Sequence, residues 1–358
     1  MKKILIIGPF PPAYSYGGPT RSIEGIYNAL RLSNDLSCKV ISPAKNLDGS
    51  NLEIETIDKN IKYTNNSYKE ILNNISQTDL IWFNSFFEFK LVFLVLLSKI
   101  FNFKLIISPR GQLADSAINT SNHSLKKIFI KFISVFKSKI NFHSTGDYES
   151  EDIISKIKTS KITYLSNLFS LNFCSNSQTK SKYIFYSRIH KKKGLYYLLK
   201  ILDEEKINLD LDIYGYIEDI EYWEKCKKII NKLINVNYMG SIENGDIKVL
   251  KNKYSFFILP TLNENYGHVI IELLSLGIIP IISSSTTPFD SILNKKIGLN
   301  FNLNSRNELV DILTKTNQID LDSLSHMKNS VFEIFSKLNR DQEIIKNDYT
   351  NFVKQLCK

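Results

Sequence analysis

One stretch, residues 256–288 (FFILPTLNENYGHVIIELLSLGIIPIISSSTTP), limits what this chain can fold into more than any other. An apolar run from Phe256 to Leu259 leads into a polar loop. A helical segment follows, with Glu272 eight residues after Glu264, and a second apolar run, Ile278 to Ile282, closes the stretch. Two short apolar runs joined through a helix predict strand, loop, helix, strand in a parallel sheet. Such sheets bind ligands beyond the carboxyl ends of their strands. The loop carrying Asn263, Glu264, Asn265, Gly267 and His268 therefore stands where a site belongs. The helix after it points its positive end at the same place, which suits an anion such as a diphosphate.

The chain has 358 residues, more than one hydrophobic core usually serves. Two domains are expected, over 1–168 and 183–336, with a linker at 169–182 and a final helix over 337–358. Residues 167–182 (NLFSLNFCSNSQTKSK) carry the linker signal, being rich in Ser and Asn without periodicity. Cys38, Cys174, Cys226 and Cys357 lie far apart with no CxxC, which fits a reducing cytosol and argues against structural zinc. The opening MKKILIIGPFPP has too short an apolar run for a signal peptide and reads as a first strand. The most apolar later segment, from Leu91, is interrupted by Lys99 and Lys104 and falls short of a membrane span.

The net charge of +10 is concentrated. Residues 1–180 hold 22 Lys and Arg against 14 Asp and Glu, and residues 90–139 hold nine basic residues and one acid, Asp115. Such a patch marks nucleic acid, an anionic membrane surface or a solvated face. No nucleic-acid-binding motif accompanies it. The segment 125–139 (LKKIFIKFISVFKSK) predicts a basic amphipathic helix with Ile128, Phe129, Phe132, Val135 and Phe136 on one broad face. That face can pack inside its own domain, lie on an anionic leaflet, or leave its lysines toward lipid while packing.

Each half opens with a strand, a polar loop with glycine and a helix. In the first half, strand Lys2 to Gly8 enters GPFPPAYSYGGPTRS, where Gly17 and Gly18 lie too far from the strand for a tight dinucleotide turn. They let a backbone approach a ligand, or the loop is plain surface. Further strands at Leu80 to Asn84 and Leu105 to Ser108 follow, the second running into SPRGQLADSA. Arg110 at that strand's end offers a fixed positive charge to a phosphate or sugar oxygen, or makes a structural salt bridge. Asp147, Glu149, Glu151 and Asp152 read as acids of a helix's first turn. In the second half, strand Tyr183 to Tyr186 enters SRIHKKKG, placing Arg188 and Lys193 before Gly194 and a helix amino terminus. Two cations there would neutralise a diphosphate. Strands at Leu211 to Tyr214 and Val236 to Met239 are each followed by glycine, Gly215 and Gly240, whose loops enclose a base or are ordinary turns.

Together GGPTRS, SPRG, SRIHKKKG and ENYGHVIIELLSLGIIPIISSSTTP resemble retaining, nucleotide-sugar-dependent glycosyltransferases of family 4, from Gly8 to about Pro288. The resemblance implies a GT-B fold, α/β, with two Rossmann-like domains facing each other across a cleft and a last helix crossing back to the first. Glu264 and Glu272 match that family's E-x7-E signature. By the same resemblance Arg188 and Lys193 hold the donor diphosphate, Glu264 contacts hydroxyls of the transferred sugar and Glu272 the ribose. Backbone groups of Tyr266, Gly267, His268 and Val269 meet sugar and phosphate. Gly18 approaches the diphosphate; Gly215, from its own place after a strand, is expected among the nucleotide-binding residues. Many relatives have His-Gly where this chain has Arg110-Gly111; an arginine stays protonated and cannot serve as base, so its role is electrostatic.

The expected activity is transfer of a hexosyl or N-acetylhexosaminyl group from a UDP- or GDP-sugar, with no cofactor and no metal, to a polyprenyl-diphosphate-linked glycan of a bacterial surface polysaccharide. The expected location is the cytoplasm, at the anionic inner face of the membrane. Paired carboxylates also serve glycoside hydrolysis, but Glu264 and Glu272, the first beginning and the second lying within one helix, suit two acids flanking a bond poorly. A silent nucleotide-sugar-binding subunit is the other reading.

Overall fold

The computed structural model of the chain describes all residues except 55–57, 120, 121 and 243–245, and all described side chains except that of Ser116. Residues 1–170 with 341–358 form one compact unit and residues 171–340 a second.

The first unit is built on seven parallel strands: β1 (Lys2–Ile7), β2 (Leu36–Pro43), β3 (Ile61–Thr64), β4 (Leu80–Phe83), β5 (Lys104–Ile107), β6 (Ile140–Ser144) and β7 (Ile162–Tyr164). Their order is β3-β2-β1-β4-β5-β6-β7. Helices α1 (Gly18–Leu30), α2 (Ser67–Ile75), α3 (Phe89–Leu97), α4 (Asp115–Ile118), α5 (His123–Val135) and α6 (Asp147–Ile157) cover it. Strands buried on both faces are continuously apolar, as in LIWF of β4 and LII of β5. One core layer joins Leu5, Phe83 and Ile107 to residues of α2, α3, α5 and α6. The other joins Ile4, Trp82 and Ile106 to α1 and to Tyr349, Val353 and Cys357 near the chain's end.

The second unit has six parallel strands: β8 (Lys182–Tyr186), β9 (Asp210–Tyr214), β10 (Val236–Tyr238), β11 (Phe256–Leu259), β12 (Ile279–Ser283) and β13 (Asn300–Phe301). Their order, β10-β9-β8-β11-β12-β13, is the doubly wound Rossmann order. Helices α7 (Leu195–Glu204), α8 (Ile220–Ile230), α9 (His268–Ser275), α10 (Asp290–Lys296) and α11 (Arg306–Asn317) connect and follow them. The 36-residue α12 (Leu321–Leu356) begins in the second unit, where Val331, Ile334 and Phe335 are buried, and ends in the core of the first.

Three expectations change. The terminal helix starts at Leu321, well before 337. The helix expected over 125–139 stops at Val135, with a single 3-10 turn at Lys137–Lys139. It also does not bury one broad face: Ile130 and Ile133 are buried, Phe129 and Phe136 are partly buried against the same core, and Leu125, Ile128, Phe132 and Val135 stay exposed.

Candidate active site

In the second unit the chain leaves β8 and β11 toward opposite edges of the sheet, so this neighbouring pair is the topological switch point where such folds bind ligands. Two loops meet there. The Leu262 N–H donates to the Lys192 carbonyl (2.9 Å), as does the Thr261 hydroxyl (3.3 Å). Gly194, at φ 74°, lies so close to the β11 loop that a Cβ would stand 1.9 Å from the Pro260 oxygen. Only glycine allows that approach. Its consequence is local chemistry: the Lys193 ammonium is hydrogen-bonded to Glu264 Oε1, with the two side chains only 11% and 10% exposed.

Glu264 does not begin the helix, as expected, but sits in the loop four residues before α9. Its backbone N–H donates to Thr286 O (2.7 Å), beyond β12. A polar run of Asn, Glu and Asn competes for local backbone bonds and delays the helix until after Gly267, which takes φ 82° at the cap. Gly267, His268 and Val269 thus form the helix entrance. The buried Tyr266 ring packs on Phe289 (5.1 Å) and lies 4.9 Å from His268. Glu272 is half-buried a turn further along α9.

Arg188 shares a loop with Lys193 but has a different partner. Its guanidinium pairs with Glu218 after β9 at 3.0 Å, with side chains 39% and 37% exposed. Gly215, at φ 155°, would place a Cβ 1.8 Å from Ser187 O, so its glycine is required by the packing of the β9 loop on the β8 loop. The structure therefore gathers Arg188, Lys193, Gly215 and Glu264 at adjoining strand ends and adds Glu218, which the sequence did not single out.

In the first unit Gly18 is the first residue of α1, and Gly17 before it carries the positive φ of 70°. Arg110 lies on the loop after β5, itself at φ 56°, a conformation uncommon outside glycine. Its Nη2 and Nε donate to Asn84 Oδ1 (2.7 and 3.3 Å), and Nη1 donates to Asn167 Oδ1 (3.0 Å). Among the described residues no carboxylate lies within ion-pair distance of it, so the salt bridge considered for Arg110 is not formed. Desolvation draws its pKa below the ordinary arginine value, against the opposing influence of Tyr349 and Glu149.

The buried Glu149 does more than open a helix. Its Oε1 accepts from the Gly111 N–H (2.8 Å) and its Oε2 from the Thr145 N–H and hydroxyl (both 2.9 Å). Beneath lies a buried relay: Trp82 Nε1–H donates to Ser108 Oγ (2.8 Å), leaving that hydroxyl to donate to His143 Nδ1 (2.7 Å). His143 Nε2 then carries the proton and donates to Leu165 O (3.0 Å). Burial, followed by the charge of Arg110, pulls the His143 pKa well below its ordinary value.

Residues 173–329 match the family model of glycosyl transferases group 1. The match lies within the second unit. No curated protein matches the sequence. Among solved structures, HepE from Anabaena, in complex with UDP and glucose, is 15% identical with a TM-score of 0.75 over 99% of both chains. Sucrose-phosphate synthase from Thermosynechococcus elongatus is 13% identical with a TM-score of 0.73 over 99% of both chains. The pneumococcal O-GlcNAc transferase GtfA, in complex with UDP and GlcNAc, is 17% identical with a TM-score of 0.60, over 87% of this chain and 66% of that one. At such identities the likeness is one of fold: the two Rossmann-like halves of GT-B glycosyltransferases.

Proposed function

We propose that the protein is a retaining glycosyltransferase of family 4 that moves a sugar from a UDP- or GDP-sugar to a glycan acceptor. The observation that carries this reading is the juxtaposition of Lys193 and Glu264 at the switch point of a Rossmann-ordered sheet, inside the region matched by the group 1 family model. Breaking the bond from the anomeric carbon to diphosphate builds positive charge on the sugar and negative charge on the leaving group. An ammonium with three N–H donors that spends one on Glu264 has two for phosphate oxygens. The second carboxylate oxygen of Glu264 accepts from sugar hydroxyls. The entrance of α9 adds its dipole where the diphosphate charge grows, and interactions that strengthen with that charge lower the barrier.

Arg188 is the second cation of the donor site. Its exposed pair with Glu218 belongs to a class worth at most about 1 kcal/mol, so exchanging Glu218 for a phosphate costs little. Glu272 takes the ribose, Tyr266 to Val269 approach sugar and phosphate, and Gly215 borders the nucleotide. With these cations supplying the charge, turnover needs no metal. The transferred group is a hexosyl or N-acetylhexosaminyl unit, and the acceptor a polyprenyl-diphosphate-linked glycan of a bacterial surface polysaccharide, met at the cytoplasmic face of the membrane. Among the described residues no helix is long and apolar enough to cross a membrane.

Calorimetric titration of the chain with UDP-, GDP- and ADP-sugars tests the donor assignment. One nucleotide class is expected to bind in the presence of EDTA; binding by none of them overturns the reading.

A further inference from the structure

Arg110 stands at a second site, in the first unit, whereas Arg188, Lys193, Glu264 and Glu272 belong to the second. The order of the first unit's sheet reverses between β1 and β4, and Asn84 is the first residue beyond β4. Asn84 and Asn167 are both almost fully buried, 4% and 1% exposed, yet each turns its amide oxygen to the same guanidinium. The orientation of Asn84 is fixed from behind, because its Nδ2 donates to Trp82 O (3.4 Å). Two buried amides thus orient the cation without neutralising it.

The rest of the surroundings repeat that pattern. A guanidinium carries five N–H groups. Three are used, Nε and one on each of Nη1 and Nη2, all on neutral oxygens. The backbone is held at φ 56° with Gly111 beside it at φ 73°, and the Gly111 N–H is tied to the buried Glu149 carboxylate. Strained backbone of this kind persists where the surroundings over-determine it, and it clusters at ligand sites. The nearby histidine is held as a neutral imidazole by Ser108 and Leu165, so it adds no second positive charge. A half-buried cation on a braced loop, with two N–H groups unspent and no carboxylate partner among the described residues, is built to take an anion from outside the chain.

The geometry points to Arg110 as the receptor for a phosphate group of a substrate, held bidentately at the carboxyl ends of the first unit's strands with Asn84 and Asn167 as its positioning residues. The bidentate fit follows from the planar fork that arginine presents to phosphate oxygens. This deepens the proposed glycosyl transfer and rests on it in one respect: with Arg188 and Lys193 assigned to the donor diphosphate, the phosphate at Arg110 belongs to the acceptor.

Two titrations on the full chain separate the claims. The first, with UDP or GDP, reads the donor site. The second, with inorganic phosphate, is run with and without saturating nucleotide and reads Arg110. Wild type is compared with Arg110→Gln, Arg110→Lys and Asn84→Asp, the last supplying an internal carboxylate to the guanidinium while leaving arginine in place. The expected result is phosphate binding that persists under saturating nucleotide and weakens at least tenfold in Arg110→Gln and in Asn84→Asp. Arg110→Lys should fall between, and nucleotide affinity should stay within twofold. If Arg110→Gln instead weakens the nucleotide at least tenfold, the bound phosphate is the donor's and its assignment to the acceptor is overturned. If phosphate and nucleotide affinities are both unchanged while the melting temperature falls, Arg110 is only a structural tie and the inference is overturned. Failure of every nucleotide to bind would remove the donor reading, while the phosphate titration would still decide Arg110.

Discussion

At the scale of single residues, the contrast between the two cations of the second unit decides how each responds to substitution. Lys193 and Glu264 form a pair nearly removed from solvent, whereas Arg188 and Glu218 meet at the surface. Removing one member of a buried pair leaves a charge unmatched, at a cost of about 3–5 kcal/mol. Glu264→Gln keeps the shape and one acceptor, so it should fold with a modestly lower melting temperature. Its turnover should fall at least about 100-fold, as for loss of a preorganised electrostatic partner. Lys193→Ala should abolish turnover while keeping native circular dichroism. Activity within tenfold of wild type in either variant would refute that residue's role. His143 carries a prediction of another kind. Because burial depresses its folded pKa below the unfolded value of about 6.5, the unfolded chain binds the extra proton first as pH falls. The stability it contributes is complete above about pH 6.5 and is lost below, at up to about 1.4 kcal/mol per pH unit until its folded pKa is passed. Urea unfolding between pH 7.5 and 5 should show that slope in wild type and a shallower one in His143→Gln; equal slopes would remove the histidine from the account.

At the scale of elements, the loop after β8 is shaped by its contact with the loop after β11, and Gly194 is where the two come closest. Gly194→Ala requires a Cβ 1.9 Å from a carbonyl oxygen at a positive φ, so the loops must separate. The expected loss is at least about 2 kcal/mol, within the range of strain at special backbone positions. It should appear as a lower urea midpoint at unchanged slope, together with weakened nucleotide binding as Lys193 leaves Glu264. Wild-type midpoint and affinity would contradict this account of the loop. The glycine itself was legible in SRIHKKKG, as were β11 and α9 in the stretch that organises the second unit. Strands buried on both faces announce themselves as apolar runs. Edge strands such as β3, β7 and β13 do not, because they are short and their side chains partly exposed. The partners of the site residues were harder still to read. Glu218 meets Arg188, and Asn84 and Asn167 meet Arg110, through pairings distant in sequence. The only local signal was a polar residue directly after an apolar strand, present at Asn84 and easily passed over.

At the scale of the whole molecule, the excess of positive charge counted in the sequence acquires a place. The nine basic residues of 90–139 share that segment with a single acid, Asp115, which is bonded to Lys156, while Lys90 pairs with Glu88 outside it. On α5 the exposed Leu125, Ile128, Phe132 and Val135 recur at helical spacing, and Lys127 and Lys131 are exposed beside them. A helix with an apolar stripe and lysines along its border suits the interface of an anionic bilayer, where each basic residue contributes about 1 kcal/mol. Lys126 is a poor probe of this, since its ammonium donates to Ala117 O (2.8 Å) and lies over the Phe87 ring, so reversing its charge would disturb packing. Lys127→Glu with Lys131→Glu changes only exposed groups. The double variant should lose at least about 2 kcal/mol of affinity for vesicles rich in anionic lipid, roughly 30-fold in the partition coefficient, with little change for neutral vesicles. Ile128→Ser with Val135→Ser should weaken binding to both, because it removes apolar contact and leaves charge intact. Flotation at low and physiological salt distinguishes the two contributions, the first being screened over a Debye length of about 8 Å. If wild type and both variants remain equally in the aqueous fraction, the membrane partner falls, and the basic face of the first unit is a solvated one.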